Sequence, residues 1–146
     1  MISINNDLIS HIDSSIPSYP KRYREVSGAQ LPNSGLVICG GEIRSNSSHQ
    51  YLHYKDGSIQ WTKVGTMKKA RYMHSSVWID GRLLTTGGWP LSAKTTSHHE
   101  EFSFDGGVKE REEMPIALAG HTATIIEQNK MIVCGGRTGN VSKTFS

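Results

Sequence analysis

The chain has 146 residues, with 16 Lys and Arg against 13 Asp and Glu for a formal charge of +3. That balance is too mild for a nucleic-acid binder, which needs a basic stripe with interleaved stacking aromatics. No apolar run is long enough to cross a bilayer, and no charged segment followed by a long apolar core marks a signal peptide, so a protein with no membrane segment is expected.

In chain order, Met1–Tyr23 stands apart, because Ser, Asn, His and Asp dominate its first fifteen residues and that composition predicts partial disorder. Yet Ile16-Pro-Ser-Tyr-Pro20 precedes Arg24 much as Val64-Gly-Thr-Met67 precedes Arg71, as the worn end of a preceding unit would. From Arg24 a first unit begins, expected over 24–70. Ser27 opens it, Pro32-Asn-Ser-Gly35 supplies a turn, and the apolar strand Leu36-Val-Ile-Cys39 ends at Gly40-Gly41. A polar loop, the strand Tyr51-Leu-His-Tyr54, a turn at Asp56-Gly57 and a last segment carrying Trp61 lead to Met67.

The second unit, expected over 71–117, repeats these marks. Arg71 and His74 precede the β-branched and aromatic run Ser75-Ser-Val-Trp-Ile79, and Asp80-Gly81 supplies the positive φ that a tight hairpin needs. A second apolar run reaches Gly87-Gly88, then come a strand at Glu101-Phe-Ser-Phe104, a turn at Asp105-Gly-Gly107 and a segment to Met114. The partial third unit, 118–146, carries Leu118 at the Arg position, then His121, the run Thr122–Ile126, a turn at Gln128-Asn129 and Gly135-Gly136. It stops where its third strand should begin.

The Gly pairs thus return at intervals of 47 and 48 residues, and Met67 and Met114 each stand seven residues before a His. A unit of four short antiparallel strands cannot bury both faces alone, so it must stack on its neighbours as propeller and solenoid repeats do. The order of marks, Arg-x-x-His, Gly-Gly, an aromatic in the third strand, Trp in the fourth and then Met, resembles the kelch repeat of β-propellers. The resemblance covers roughly residues 20 to 141; Val108 and Leu118 depart from it, and Ser27 replaces the His in the first unit. The fold expected is therefore all-β, an incomplete kelch-type β-propeller of four-stranded antiparallel blades. Kelch rings are most often six-bladed, so the chain is expected to be part of a larger ring or assembly. Two copies exchanging their ends would approximate six blades, which makes self-association a way to complete the propeller.

Cys39 and Cys134 occupy the same place in different units, too far apart for a disulfide, and read as small buried residues in a reducing, cytoplasmic compartment. Against this stand two glycosylation sequons, at Asn46 and Asn140. The Gly pairs are not phosphate loops, since no Gly-Lys-Ser/Thr and no helix start follows them. Their use is steric, at strand ends where a missing Cβ allows close approach. His74 and His121 recur once per unit, as blade-bridging residues do and a catalytic residue has no reason to. Their companions Met67 and Arg71 share that reading, with Arg71 expected nearer the surface.

His98-His99-Glu100-Glu101 is the densest set of potential metal ligands, but adjacent histidines in a strand face opposite ways. Glu101 and Asp105 match two acidic positions of the iron motif in kelch-type specifier proteins, and Lys109 stands where that motif has His. No Tyr/Cys/His group maps onto the copper site of kelch-type galactose oxidase. No cofactor, no metal and no enzymatic activity are expected; the competing reading is a metal-dependent enzyme using His98, His99, Glu101 and Asp105. A third reading is a degenerate copy that binds nothing.

In interaction-type kelch propellers ligands are held by loops after the Gly pair and between blades. That resemblance implies a binding face made of Arg24, Glu42, Arg44, Arg71, Trp89, Lys94 and Arg137, joined by Lys68, Lys69 and Leu91. Its expected partner is an acidic protein peptide or loop, paired by arginines and anchored by Trp89. Relatives beside BTB domains serve as substrate adaptors of ubiquitin ligases, so the resemblance extends to that role by analogy alone.

Overall fold

The computed structural model describes residues 25–33, 35–41, 50–55, 57–58, 60–90, 94–128 and 130–139. Expectations for the N-terminal segment, both sequons, Leu91 and the site residues Arg24, Glu42 and Arg44 lie outside the described residues.

Among the described residues the elements are twelve strands: β1 (Ser27–Gln30), β2 (Leu36–Cys39), β3 (Gln50–Tyr54), β4 (Thr62–Thr66), β5 (Arg71–Tyr72), β6 (Ser75–Ile79), β7 (Arg82–Thr86), β8 (Trp89–Pro90), β9 (His99–Ser103), β10 (Gly107–Arg111), β11 (Ala119–Glu127) and β12 (Lys130–Arg137). Among the described residues no helix is long and apolar enough to cross a membrane.

Two four-stranded antiparallel sheets form whole blades, β1-β2-β3-β4 and β6-β7-β9-β10, and the hairpin β11-β12 begins a third. The first strands lie in sequence, with β6 between β1 and β11. Between blades one and two lies the core: Leu31, Val37, Cys39, Tyr51, Met67, Leu83 and Phe102, flanked by Ala29, Val64, Trp78 and Val108. The alternation of β2 produces one side of it, because Val37 and Cys39 are buried while Leu36 and Ile38 are half-buried on the opposite face. Tyr51 of blade one stacks on Phe102 of blade two, centroids 4.8 Å apart, an arrangement worth about 0.5–1.5 kcal/mol beyond its burial.

The Asp80-Gly81 turn forms as its sequence requires, with φ of 48° and 76° at its two central residues. Two positive φ values define the hairpin turn whose twist matches the strands it joins. Cys39 is buried, but Cys134, its counterpart in the third repeat, is exposed, which corrects the expectation that both are buried. The physical reason is local: Cys39 has blade two packed on it, and among the described residues nothing is packed on the outer side of β12.

Candidate functional site: blade joints and the loop face

The repeated residues build the joints between blades. Gly41 N–H donates to the carbonyl of Arg71 at 2.9 Å, and Gly88 N–H donates to Leu118 at 2.7 Å. A Cβ at Gly40 would run into the His74 ring and lie 2.6 Å from the Arg71 carbonyl; at Gly87 it would meet the Leu118 carbonyl and lie 2.7 Å from His121 Cε1. Glycine is required there by contact as well as by φ.

Each His ring also meets the side chain just before the Gly pair: His74 Nε2 is 3.5 Å from Cys39 Sγ, and His121 Nε2 is 3.1 Å from Thr86 Oγ1. Burial holds the His74 pKa down, to about 3, with the Arg71 charge adding to the effect. Burial likewise pushes the Cys39 thiol up to about 11. These groups are neutral structural parts at physiological pH.

Arg71 is 1% exposed, which corrects the expectation of a surface position. Its guanidinium lies 2.6 Å from Glu100 Oε2, both side chains fully buried, and donates to the carbonyls of His98 at 2.9 Å and Gly87 at 3.3 Å. Glu100 also accepts from Tyr51 O–H at 2.7 Å and from Lys68 N–H at 3.2 Å, so the carboxylate ties blade two back to blade one. Sequence reasoning placed Glu100 only in the His98–Glu101 set of potential metal ligands and missed its pairing with Arg71; the available signal was an acidic residue at an inward register position of the third strand, beside an arginine that recurs at the unit start.

The His98–Glu101 cluster is dispersed. His98 lies 3.2 Å from Glu100, whereas Glu101 pairs with Arg111 at 2.5 Å and Arg82 at 3.5 Å. The Arg111 hydrogen bond holds the Glu101 carboxyl below its usual range. Among the described residues no three of His, Cys, Asp or Glu converge as metal ligands would.

The loop face gathers three of the remaining residues. Arg137, at the end of β12, sets its guanidinium carbon 4.5 Å from the centre of the Trp89 ring, and its Nη2 lies 3.8 Å from Met73 Sδ. Trp89 is 1% exposed beneath it, packed against Tyr72 with centroids 6.1 Å apart. That corrects its expected role as an exposed anchor: Trp89 is a platform for Arg137. Lys94 is exposed beside Thr95, whose N–H donates to Gly139 at 3.3 Å and whose hydroxyl accepts from Gly139 N–H at 3.1 Å. Lys68 and Lys69 are exposed on the link between β4 and β5. Glu113 is bound to Ser97 at 2.5 Å. Met73 holds φ of 52° where the third repeat has Gly120 at 68°. A left-handed Met costs about 1–2 kcal/mol, and such strain clusters at functional sites.

The repeated four-stranded blades, joined through their Gly pairs, define an incomplete β-propeller. No protein-family model matches the chain. It is similar to Kelch-like protein 33 of Homo sapiens, 26% identical over 132 residues, which are 82% of this chain and 23% of that protein. Beta-scruin of Limulus polyphemus is 30% identical over 102 residues, 65% of this chain and 11% of that protein. The solved structure of YjhT superposes with a TM-score of 0.73 at 19% identity, covering 85% of this chain and 37% of that one. The repeats are of kelch type, as their residue order implied, and the chain spans a minor part of each relative it matches.

Proposed function

We propose that this chain is a protein-recognition module whose loop face takes an acidic segment of a partner protein through Arg137, Lys94, Lys68 and Lys69. The observation carrying this reading is Arg137: it is exposed, yet held in place by Trp89 and Met73. A guanidinium fixed before binding loses less freedom when it pairs with a carboxylate. Arg71 supports the face from below. The similarity to Kelch-like protein 33 and beta-scruin favours an interaction role over catalysis. So does the engagement of Glu100 and Glu101 in ion pairs with arginines and of His98 in a contact with Glu100. Both described cysteines are free thiols, which favours a cytoplasmic setting. An adaptor role in a ubiquitin ligase extends the same reading to a longer protein of which these blades would be part.

The test is a display library of random 12-residue peptides panned against the wild type and against an Arg137→Ala, Lys94→Ala variant. Peptides rich in Asp and Glu should be enriched on the wild type and lost on the variant. Selection of neutral or basic peptides, or equal retention by the variant, would overturn the proposal.

A further inference from the structure

Met73 and Arg137 meet in a contact that carboxylate binding does not need. Met73 stands between β5 and β6, half-buried, with its backbone carbonyl accepting from Gly120 N–H at 2.8 Å. That bond and the left-handed φ of 52° fix where its side chain leaves the backbone. On one side the methyl end lies against Gly120, where an added Cβ would come 3.3 Å from Met73 Cε. On the other, Sδ lies 3.8 Å from Arg137 Nη2, in a contact open to solvent. A thioether sulfur is only a weak acceptor, so the guanidinium gains little from this neighbour.

Oxidation changes the chemistry of that contact. A sulfoxide carries its oxygen one bond out from the sulfur and turns an apolar side chain into a polar one. With the sulfur 3.8 Å from Nη2, an oxygen bent toward Arg137 falls about 2.8 Å from that nitrogen, an ordinary length for a charge-assisted hydrogen bond. Neither residue has to move, because Trp89 already holds the guanidinium carbon 4.5 Å from its ring centre. Met67 is 3% exposed in the core, and the Met114 methyl lies at the Gly87 joint. Oxidation of those two would disturb packing between blades rather than the loop face.

We propose that Met73 is a site of reversible oxidation by hydrogen peroxide, and that its sulfoxide oxygen captures the Arg137 guanidinium. The sulfur lone pair attacks one peroxide oxygen, and the S–O bond forms as the O–O bond breaks. The departing hydroxide takes the proton from the new S–OH and leaves as water; sulfur loses the two electrons that peroxide gains. A methionine sulfoxide reductase reverses the step, with two thiols oxidised to a disulfide and the oxygen released as water.

The consequence for binding rests on the recognition role proposed above. A carboxylate pairs with arginine side-on through Nε and Nη2, or end-on through Nη1 and Nη2, and both forks need the nitrogen that the sulfoxide occupies. Competition for one charge-assisted hydrogen bond should weaken an acidic partner about tenfold.

The test uses the full chain treated with hydrogen peroxide until peptide mapping by mass spectrometry finds Met73 as the sulfoxide. In protein labelled with 15N-arginine, the Arg137 side-chain N–H signals should shift and exchange more slowly with water, and return after treatment with the reductase. Met73→Leu, treated alike, should show neither change, which separates Met73 from Met131 and from the exposed Cys134. Calorimetry with a Glu-rich peptide should give about tenfold weaker binding to the oxidised wild type. Met73 left intact while the buried Met67 reacts, Arg137 signals unmoved by Met73 oxidation, or the same shifts in Met73→Leu would each overturn the proposal. If the Arg137 signals respond while the reduced protein ignores the peptide, the recognition role fails and the oxidation site stands.

Discussion

Replacing Glu100 by Ala tests whether the blades are held by a buried charge network. The carboxylate is fully buried and serves Arg71 at 2.6 Å, Tyr51 at 2.7 Å and Lys68 N–H at 3.2 Å. Its loss leaves a buried guanidinium without a counter-charge, which costs about 3–5 kcal/mol. At about 3 °C per kcal/mol for a chain of this size, the midpoint should fall by about 10–15 °C. The double variant Arg71→Met, Glu100→Leu removes both charges and fills their space. It also leaves the Gly87 and His98 carbonyls without the guanidinium, at about 1 kcal/mol each, and shares with Glu100→Ala the loss of the acceptor for Tyr51 O–H and Lys68 N–H, so it should settle below the wild type but about 1–3 kcal/mol above the single variant. Urea unfolding followed by circular dichroism at pH 7 gives both values. The reasoning fails if Glu100→Ala costs under about 1 kcal/mol, or if the double variant is no more stable than the single.

Stability should also depend on pH through His74. Its folded pKa, about 3, lies below the unfolded value, so the contribution is complete above about pH 6.5 and is lost as pH falls toward 3. Between pH 7 and 5 urea titrations should show a loss of about 2 kcal/mol, reduced in His74→Asn. In the native protein an aromatic disulfide reagent should label Cys134 quickly and Cys39 only after unfolding, because one thiol is exposed and the other buried with a raised pKa. Ala at Gly135 should cost only the left-handed φ, whereas Ala at Gly87 should cost about 1–3 kcal/mol more through overlap with Leu118 and His121, as paired melts would show. Met73→Gly should gain about 1 kcal/mol by relieving strain, while loosening Arg137 and weakening acidic-peptide binding in calorimetry.

The architecture was legible because one property, a strand-end glycine pair, recurs for a steric reason that applies once per blade. Asp80-Gly81 fixed a hairpin for the same kind of local reason. Burial was less legible. Arg71 reads as a surface residue in any local window, and only Glu100, brought beside it by the second blade's third strand, makes its burial affordable. Trp89 sits next to Pro90 in a polar stretch, and nothing local says that Arg137, from the next repeat, will cover it. Cys134 has the same neighbours in sequence as a buried cysteine. Its exposure depends on what packs against the following face, which lies beyond local pattern.

A residue that recurs in every repeat answers a demand that recurs in every repeat, and here that demand is the joint. The first two Gly pairs and both His residues are consumed by contacts between adjacent blades, and Arg71 and Glu100 seal one such joint. Recognition must then rest on residues that break the pattern. Met73 takes a strained φ where Gly120 would relax it, and Arg137 caps Trp89 at the loop end. Both departures meet at one place, Met73 Sδ against the Arg137 guanidinium. Relaxing a joint residue should therefore change stability and leave peptide preference intact, whereas altering Met73 or Arg137 should change preference at little cost to the fold.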